Sequence, residues 1–476
     1  MEAQAYDLVV IGSGPAGQKG AIAAAKLGKK VAVVDRRDML GGASLHTGTI
    51  PSKTLREAVL YLSGFRQRPF YGKDYTLKER ISVEDLNFRI RAVVERELEV
   101  VRSQLKRNGV TLIEGLARFL DPHTIEVEAV APAARPVGFS SGQAGNVLTL
   151  KTQYALIACG TRPARSPQIP VDGVRIFDSD MLQGANEIYR ESIVVGAGVI
   201  GLEYASIFAA LGSRVTVIEQ RPGLLDFVDK EIVEMLCYHL RRQGVVFRLG
   251  EQVTSVVVNE HGQVIAQLES GKKVHGDALL YTVGRQTNAD LLNLQAVDIV
   301  PDPRGRIAVN EYFQTTIPNV YAAGDVIGFP ALASTSMEQG RLASCHMFGL
   351  PCQCYPDLLP FGIYTIPEIS MVGKTEQELT EARIPYEVGI ARFEELAKGQ
   401  ILGAEPGLLK ILFDPAARNI LGIHIIGEQA AELIHVGLAV VALEGTIEFF
   451  RDMVFNYPTL AEAYKVAALN GLNKIA

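Results

Sequence analysis

Apolar residues along this 476-residue chain fall into short unbroken runs, each followed by a glycine cluster and then a small-residue segment of helical period. Tyr6–Ile11 is one such run. It enters Gly12-Ser13-Gly14-Pro15-Ala16-Gly17 and then an Ala-rich stretch through Lys26, and a second run, Val31–Val34, ends at Asp35. Continuous apolar runs of this length predict strands covered on both faces, and the glycines followed by helical spacing predict a strand–turn–helix unit. The pattern recurs at Ser192–Val195, Gly196-Ala197-Gly198-Val199-Ile200-Gly201, a helix through Leu211, and Arg214–Ile218 ending at Glu219. Between the copies, Leu86, Ile90, Val93, Val94, Leu98, Val101 and Leu105 recur at helical spacing, which predicts a long helix ended by Asn108-Gly109. Residues 129–146, rich in Ala, Pro, Gly and Ser, read as a surface loop or hairpin. Beyond residue 355, strand-like runs such as Leu408–Phe413 precede two expected helices, near 429–443 and 459–470.

The repeated unit has a specific chemistry. The first glycine makes the turn, the second lets backbone approach a pyrophosphate, and the third lets the helix pack on the strand. The helix N-terminus then offers unpaired N–H groups to phosphate, and the acid accepts hydrogen bonds from a ribose diol. Asp35 and Glu219 each stand 18 residues past the third glycine (17 to 35, 201 to 219). Two dinucleotide sites are therefore expected, with Pro15, Ala16, Val199 and Ile200 inside the loops and Arg36 and Gln220 beside the acids.

Composition narrows the partners. Net charge is −6 without a basic run, so nucleic-acid binding has no electrostatic support. No run of about 18 uncharged apolar residues occurs, and strand-like sequence begins by Tyr6, so neither a membrane span nor a signal peptide is expected. That predicts a cytoplasmic protein. Five scattered cysteines (159, 237, 345, 352, 354) do not form a disulfide framework, and Cys352-Gln-Cys354 lacks the partners of a metal site; no metal is expected.

Gly41-Gly42-Ala43-Ser44-Leu45-His46-Thr47-Gly48-Thr49-Ile50-Pro51-Ser52-Lys53 resembles the active-site helix, the redox segment, of the flavoprotein disulfide reductases, which reads GG-x-Cys-x4-Cys-x-P-x-K, so a single helix is expected here. Both cysteine positions, Ser44 and Thr49, carry hydroxyls, which cannot form a disulfide or supply a thiolate near neutral pH. Asn456-Tyr457-Pro458-Thr459-Leu460-Ala461-Glu462 likewise resembles the family's His-Pro-Thr-x-x-Glu, with a tyrosine of reference pKa near 10 in place of the acid–base imidazole. Glu462 is expected to be a structural partner of Tyr457 or of nearby backbone, and His46 to line the flavin site, to pack or to face solvent.

The resemblance implies an α/β fold with two Rossmann-type domains, for FAD and NAD(P), and a C-terminal α+β dimerisation domain. The implied bounds are 1–163 and 286–350 for the FAD domain, 164–285 for the NAD(P) domain and 351–476 for the interface domain, with a homodimer as the assembly. By resemblance, Gly42, Ala43 and Thr49 border the flavin, Gly160 and Gly284 end the crossing strands, and Gly324 precedes Asp325, which bonds the ribityl chain. Leu332, Ala333 and Ser334 then start a helix at the flavin pyrimidine end, and Lys53 pairs with Glu203 near flavin N5.

Gly48–Lys53, Ile363–Glu368 and the segment from Phe455 to Asn473 are similar to the soluble, Si-specific pyridine nucleotide transhydrogenases. That similarity implies hydride transfer from NADPH to NAD+ through flavin N5 with ping-pong kinetics. The alternative is an NAD(P)H dehydrogenase or diaphorase acting on quinones, dyes or oxygen. Glu219 disfavours a 2′-phosphate, which Arg221 or Arg214 could offset.

Overall fold

The computed structural model describes residues 4–36, 39–129, 147–351 and 358–475, and the chain divides into two compact units. The expected loop at 129–146 (apart from residue 129) and Cys352-Gln-Cys354 lie outside the described residues.

The first unit comprises Met1–Thr54, Phe88–Ala164 and Gly284–Cys354. Its central strand, Gln4–Ile11, runs parallel to Val31–Asp35 on one side and to Val147–Ile157 on the other. Val31–Asp35 pairs in turn with Thr111–Glu114. Val147–Ile157 changes partner along its length. Residues 147–151 run antiparallel to Thr124–Glu128, whereas 155–157 run parallel to Val320–Ala322. Leu8, Val9, Val10, Ala32 and Val33 have no exposed surface, as a parallel strand covered on both faces requires.

Helices Pro15–Lys26 and Ala333–Met347 pack closely on one another. A Cβ on Gly340 would stand 2.0 Å from the Ala16 carbonyl, so only glycine permits that approach. The expected long helix is present as Val83–Arg107, and its stripe residues Val101 and Leu105 join the core beneath the sheet. The two-stranded ribbon Thr161–Pro163 with Arg285–Thr287 stands where the chain leaves for residues 165–283 and returns.

The second unit comprises Leu55–Asn87, Arg165–Val283 and Tyr355–Ala476. It holds a five-stranded parallel sheet ordered Val246–Leu249, Arg214–Glu219, Glu191–Val195, Ala278–Tyr281 and Ile176–Asp178. A three-stranded antiparallel sheet spans Val253–Gly276. The C-terminal portion is a five-stranded antiparallel sheet ordered Phe361–Ile363, Glu368–Gly373, Ile420–Gly427, Leu408–Phe413 and Glu387–Arg392.

Both expected C-terminal helices occur, as Ala430–Ala442 and Glu462–Leu472, with a further short helix, Ile447–Asp452, between them. Six residues are under two turns, too few for a periodic signal. All six residues of Leu408–Phe413 are buried, Lys410 included, so this strand is covered on both faces. The fold is the expected α/β arrangement with a C-terminal α+β part.

Candidate functional site: two glycine loops and a thiol-free redox segment

In both glycine loops the acid grips the turn that precedes the helix. In the first unit, Asp35 Oδ2 accepts the Ser13 N–H (2.6 Å) and the Ser13 hydroxyl, and Oδ1 accepts the Arg36 N–H (2.7 Å). Ser13 Oγ also accepts the Gly41 N–H (2.9 Å), joining the loop to the Gly41-Gly42 turn. Burial raises the Asp35 pKa above the ordinary carboxylate value, against the bonds from Ser13 and Arg36. In the second unit, Glu219 Oε2 accepts the Ala197 N–H (2.8 Å), and Oε1 accepts both the Arg221 N–H and Nε (3.1 Å each). Burial opposes ionisation there too, but Arg221 and the two amides outweigh it, so the Glu219 pKa is lowered.

The third glycine closes helix onto turn in each copy. A Cβ on Gly17 or Gly201 would stand 1.9 Å from the carbonyl of Gly12 or Gly196, respectively. The second glycine faces open space. A Cβ on Gly198 would meet nothing within 4 Å, and one on Gly14 would meet Gly42 Cα at 4.0 Å. Neither following helix has a side-chain cap at its N-terminus, so its first amides remain for a ligand. Open backbone, uncapped amides and an anchored acid fit a pyrophosphate-linked dinucleotide at each loop. Beside the first, Val33, Leu40, Leu112 and Ile113 with Asp35, Arg36 and Glu114 line a small open cleft.

The segment resembling the redox helix is two helices. Ala43–His46 ends at Thr47, the chain breaks across Gly48, and Thr49–Leu62 begins a new helix. Ser44 and Thr49 therefore lie on separate elements. Ser44 Oγ donates to the Gly41 carbonyl (3.2 Å). Thr47 Oγ1 is buried without a hydrogen-bond partner among the described residues, an orphan hydroxyl in the segment expected to border the flavin. His46 Nε2 bonds the Leu40 carbonyl (2.8 Å). Lys53 is half-buried on the second helix, and Ala43 is half-buried on the first.

The remaining expected residues distribute as follows. Asp325 accepts the Thr161 hydroxyl (3.1 Å), and Arg285 donates to the same threonine's Oγ1 and carbonyl (2.7 and 2.8 Å). Gly324 N–H donates to Gln339 Oε1 (2.8 Å) on the helix that starts after Leu332 with Ala333 and Ser334. Gly160 and Gly284 both adopt positive φ, at 64° and 103°. Thr282, two residues before Gly284, caps the turn of the second loop by donating to the Val195 and Gly196 carbonyls (3.0 Å each).

Glu203 is buried on the helix Val199–Ala210 and accepts the Tyr364 N–H (2.9 Å), while Ser206, one turn on, accepts the Ile366 N–H (3.1 Å). Two side chains of one helix thus take alternate amides of the segment 364–366, which follows the strand Phe361–Ile363. Arg56, three residues after Lys53, is buried and donates to the Thr365 carbonyl (3.1 Å) and Glu368 (3.1 Å).

Three expectations change. Arg214 pairs with Glu191 at the opposite end of its strand from Glu219 and cannot offset that carboxylate. Glu462 Oε2 is buried without a hydrogen-bond partner among the described residues, so it makes no bond to Tyr457, which is 74% exposed. The single redox helix is replaced by the broken pair. Ser13, Thr161, Thr282, Arg285, Gln339 and Arg56 were not anticipated; the polar residue between the first two glycines was the available signal for Ser13.

Residues 6–340 match the family model described as pyridine nucleotide-disulphide oxidoreductase, and residues 359–468 match its dimerisation domain, a module for self-association. The soluble pyridine nucleotide transhydrogenase of Mycobacterium tuberculosis (strain ATCC 25177 / H37Ra) is 52% identical over 470 residues, 99% of this chain and 98% of the relative. That of Colwellia psychrerythraea is 44% identical over 474 residues, with the same coverage of 99% and 98%. Among solved structures, LpdA from Mycobacterium tuberculosis matches with a TM-score of 0.88 at 25% identity, over 98% of this chain and 99% of that one. The HOCl-induced flavoprotein disulfide reductase RclA from Escherichia coli matches at 0.85 and 25%, with coverage of 98% and 99%. Among the described residues, no helix is long and apolar enough to cross a membrane. The chain belongs to the pyridine nucleotide-disulphide oxidoreductase family, in its soluble pyridine nucleotide transhydrogenase branch, and is an oxidoreductase.

Proposed function

We propose that this protein transfers hydride between NADPH and NAD+, with FAD at the first glycine loop and the two nicotinamide nucleotides taking turns at the second. The observation that carries the reading is the redox segment, where hydroxyls on two separate helices stand in place of a dithiol. With no thiol pair to receive electrons, a second nucleotide is the natural acceptor. When bound, FAD supplies the two-electron relay between the nucleotides.

The residues divide the work. Gly12, Gly14 and Gly17 and the first amides of the following helix take the FAD pyrophosphate, Asp35 its adenosine ribose, and Asp325 its ribityl chain. The start of the helix at Ala333 stands at the pyrimidine end, where its partial positive charge favours an anion by about 0.3–1 kcal/mol. Lys53 supplies a cation at the hydride-accepting end, and the resemblance gives Glu203 as its counter-ion. Gly196, Gly198 and Gly201 receive the nicotinamide nucleotide. Glu219 with Gln220 reads its ribose, and Arg221, 46% exposed, meets the 2′-phosphate of NADPH by turning away from Glu219. Self-association through residues 351–476 gives a homodimer, which by resemblance carries Tyr457 and Glu462 over the second copy's flavin site. The domain bounds given above and a cytoplasmic location belong to the same reading.

The test is an anaerobic assay of NADPH with thio-NAD+ on the purified yellow protein. Turnover at about tens per second, an ordinary enzymatic rate, is expected. No reduction of thio-NAD+, with NADH still bleaching the flavin, would favour an NADH dehydrogenase instead.

A further inference from the structure

The second unit holds a buried charge cluster around Lys410. Lys410, in the middle of the strand Leu408–Phe413, has no exposed surface. Its Nζ donates to Asp229 Oδ1 (2.9 Å), Glu231 Oε2 (3.0 Å) and Glu376 Oε2 (2.9 Å). An ammonium has three protons, so all three are used. Burial works against the charge, but the bonds to Glu376, Asp229 and Glu231 more than offset it and raise the Lys410 pKa. His424 is its cross-strand neighbour on Ile420–Gly427. That imidazole is fully buried, burial lowers its pKa against the pull of Asp229, and it bonds the Lys374 carbonyl through Nε2 (2.9 Å).

The cluster ends on the nucleotide-selecting turn. Asp229, also without exposed surface, caps the helix Lys230–Arg242 through the Glu231 N–H (3.1 Å) and accepts the Glu376 N–H (3.4 Å). It is the first residue after the turn at 220–228, which leaves the sheet at Glu219 and carries Arg221 and Asp226. Gln377 Nε2 holds the far end of that turn at the Val228 carbonyl (3.2 Å). The turn is thus clamped by a carboxylate at each end, Glu219 on Ala197 and Asp229 on Lys410.

We propose that Lys410 is a positioning residue for nicotinamide-nucleotide selection: by holding Asp229, it sets where the 220–228 turn presents Arg221 to the ribose 2′ position. The inference rests on the reading of Glu219 and Arg221 given above. Without the ammonium, Asp229 keeps a buried charge compensated only by two backbone amides, and it takes up a proton or swings out. Swinging out moves the turn.

The experiment uses the full-length holoenzyme with Lys410→Met, Arg221→Leu and the double variant. Dissociation constants for NADP+ and NAD+ are measured by calorimetry, beside melting temperatures. In Lys410→Met the ratio of NADP+ to NAD+ dissociation constants is expected to rise about fivefold or more, and adding it to Arg221→Leu should change that ratio no further, because coupled residues are non-additive. A purely structural lysine would lower the melting temperature and leave the ratio unchanged. An unchanged ratio in the folded single variant, or full additivity, overturns the inference. If Lys410→Met does not fold, Asp229→Asn keeps the helix cap and removes the charge; a ratio equal to wild type then overturns it. Wild-type protein that binds NAD+ but no NADP+ counts against the transhydrogenase reading. Lys410→Met is then judged on NAD+ alone, and an unchanged constant overturns the inference.

Discussion

Glu219 and Arg221 form a charge pair beside the second loop, and on the proposed reading a 2′-phosphate entering there meets a carboxylate whose pKa Arg221 and two amides lower against burial. Replacing Glu219 with Gln keeps an acceptor for the Ala197 N–H while removing the like charge. The KM for NADPH should then fall about tenfold with little change in melting temperature, since like-charge contacts cost several kcal/mol before Arg221 offsets part of it. An unchanged KM in steady-state assays would remove Glu219 from nucleotide selection. At the other end of the path, Lys53→Met should slow flavin reduction about 10- to 100-fold in anaerobic stopped-flow, the loss typical of one preorganised charge. A wild-type rate would make the lysine peripheral.

The glycine loops separate fold from function at the level of a single turn. Gly201→Ala places a Cβ 1.9 Å from the Gly196 carbonyl and 2.8 Å from Thr282 Oγ1, so the strand–helix junction must open. A loss of about 1–3 kcal/mol in denaturant unfolding is expected from such overpacking. Gly198→Ala meets nothing within 4 Å and should leave stability alone while weakening nucleotide binding. Equal stability losses in the two variants would contradict this division. Likewise, Ser44→Cys with Thr49→Cys puts thiols on two separate helices with Tyr457 where an acid–base imidazole would be needed, so lipoamide turnover should stay negligible in a direct assay. These loops and their acids could be read from the sequence because strand, turn, helix and acid lie within about 30 consecutive residues. The break at Gly48, the six-residue helix Ile447–Asp452 and the burial of Lys410 could not, because each depends on contacts between residues far apart in the chain or on a segment too short to show a period.

Across the whole molecule, two imidazoles, one half-buried and one buried, make the fold acid-sensitive. Burial and then the Arg242 charge bring His239 down to about 4, and burial lowers His424 as well. An unfolded histidine protonates near 6.5, so between pH 6.5 and 4 the unfolded chain binds protons that the folded chain refuses. The stability is complete above about pH 6.5 and is lost as pH falls toward 4, by up to about 3 kcal/mol for His239. His239→Gln should flatten the melting temperature between pH 7 and 4.5; a pH profile parallel to wild type would place the sensitivity elsewhere. The overall architecture was readable in advance because the glycine unit occurs twice and the C-terminal part has strands and helices in distinct blocks. What escaped was how a strand such as Val147–Ile157 serves two neighbours of opposite direction, since pairing partners are chosen by the sheet and not by the strand's own residues.

The ribbon of Thr161–Pro163 with Arg285–Thr287 also bears on how such a protein diversifies. Because Pro163 pairs with Arg285, the segment between them begins and ends at neighbouring backbone positions. A cassette joined at adjacent ends can be exchanged between relatives without rethreading the sheet of the first unit. Coenzyme preference can then be grafted as a block, provided the incoming segment brings a carboxylate that Lys410 can grip.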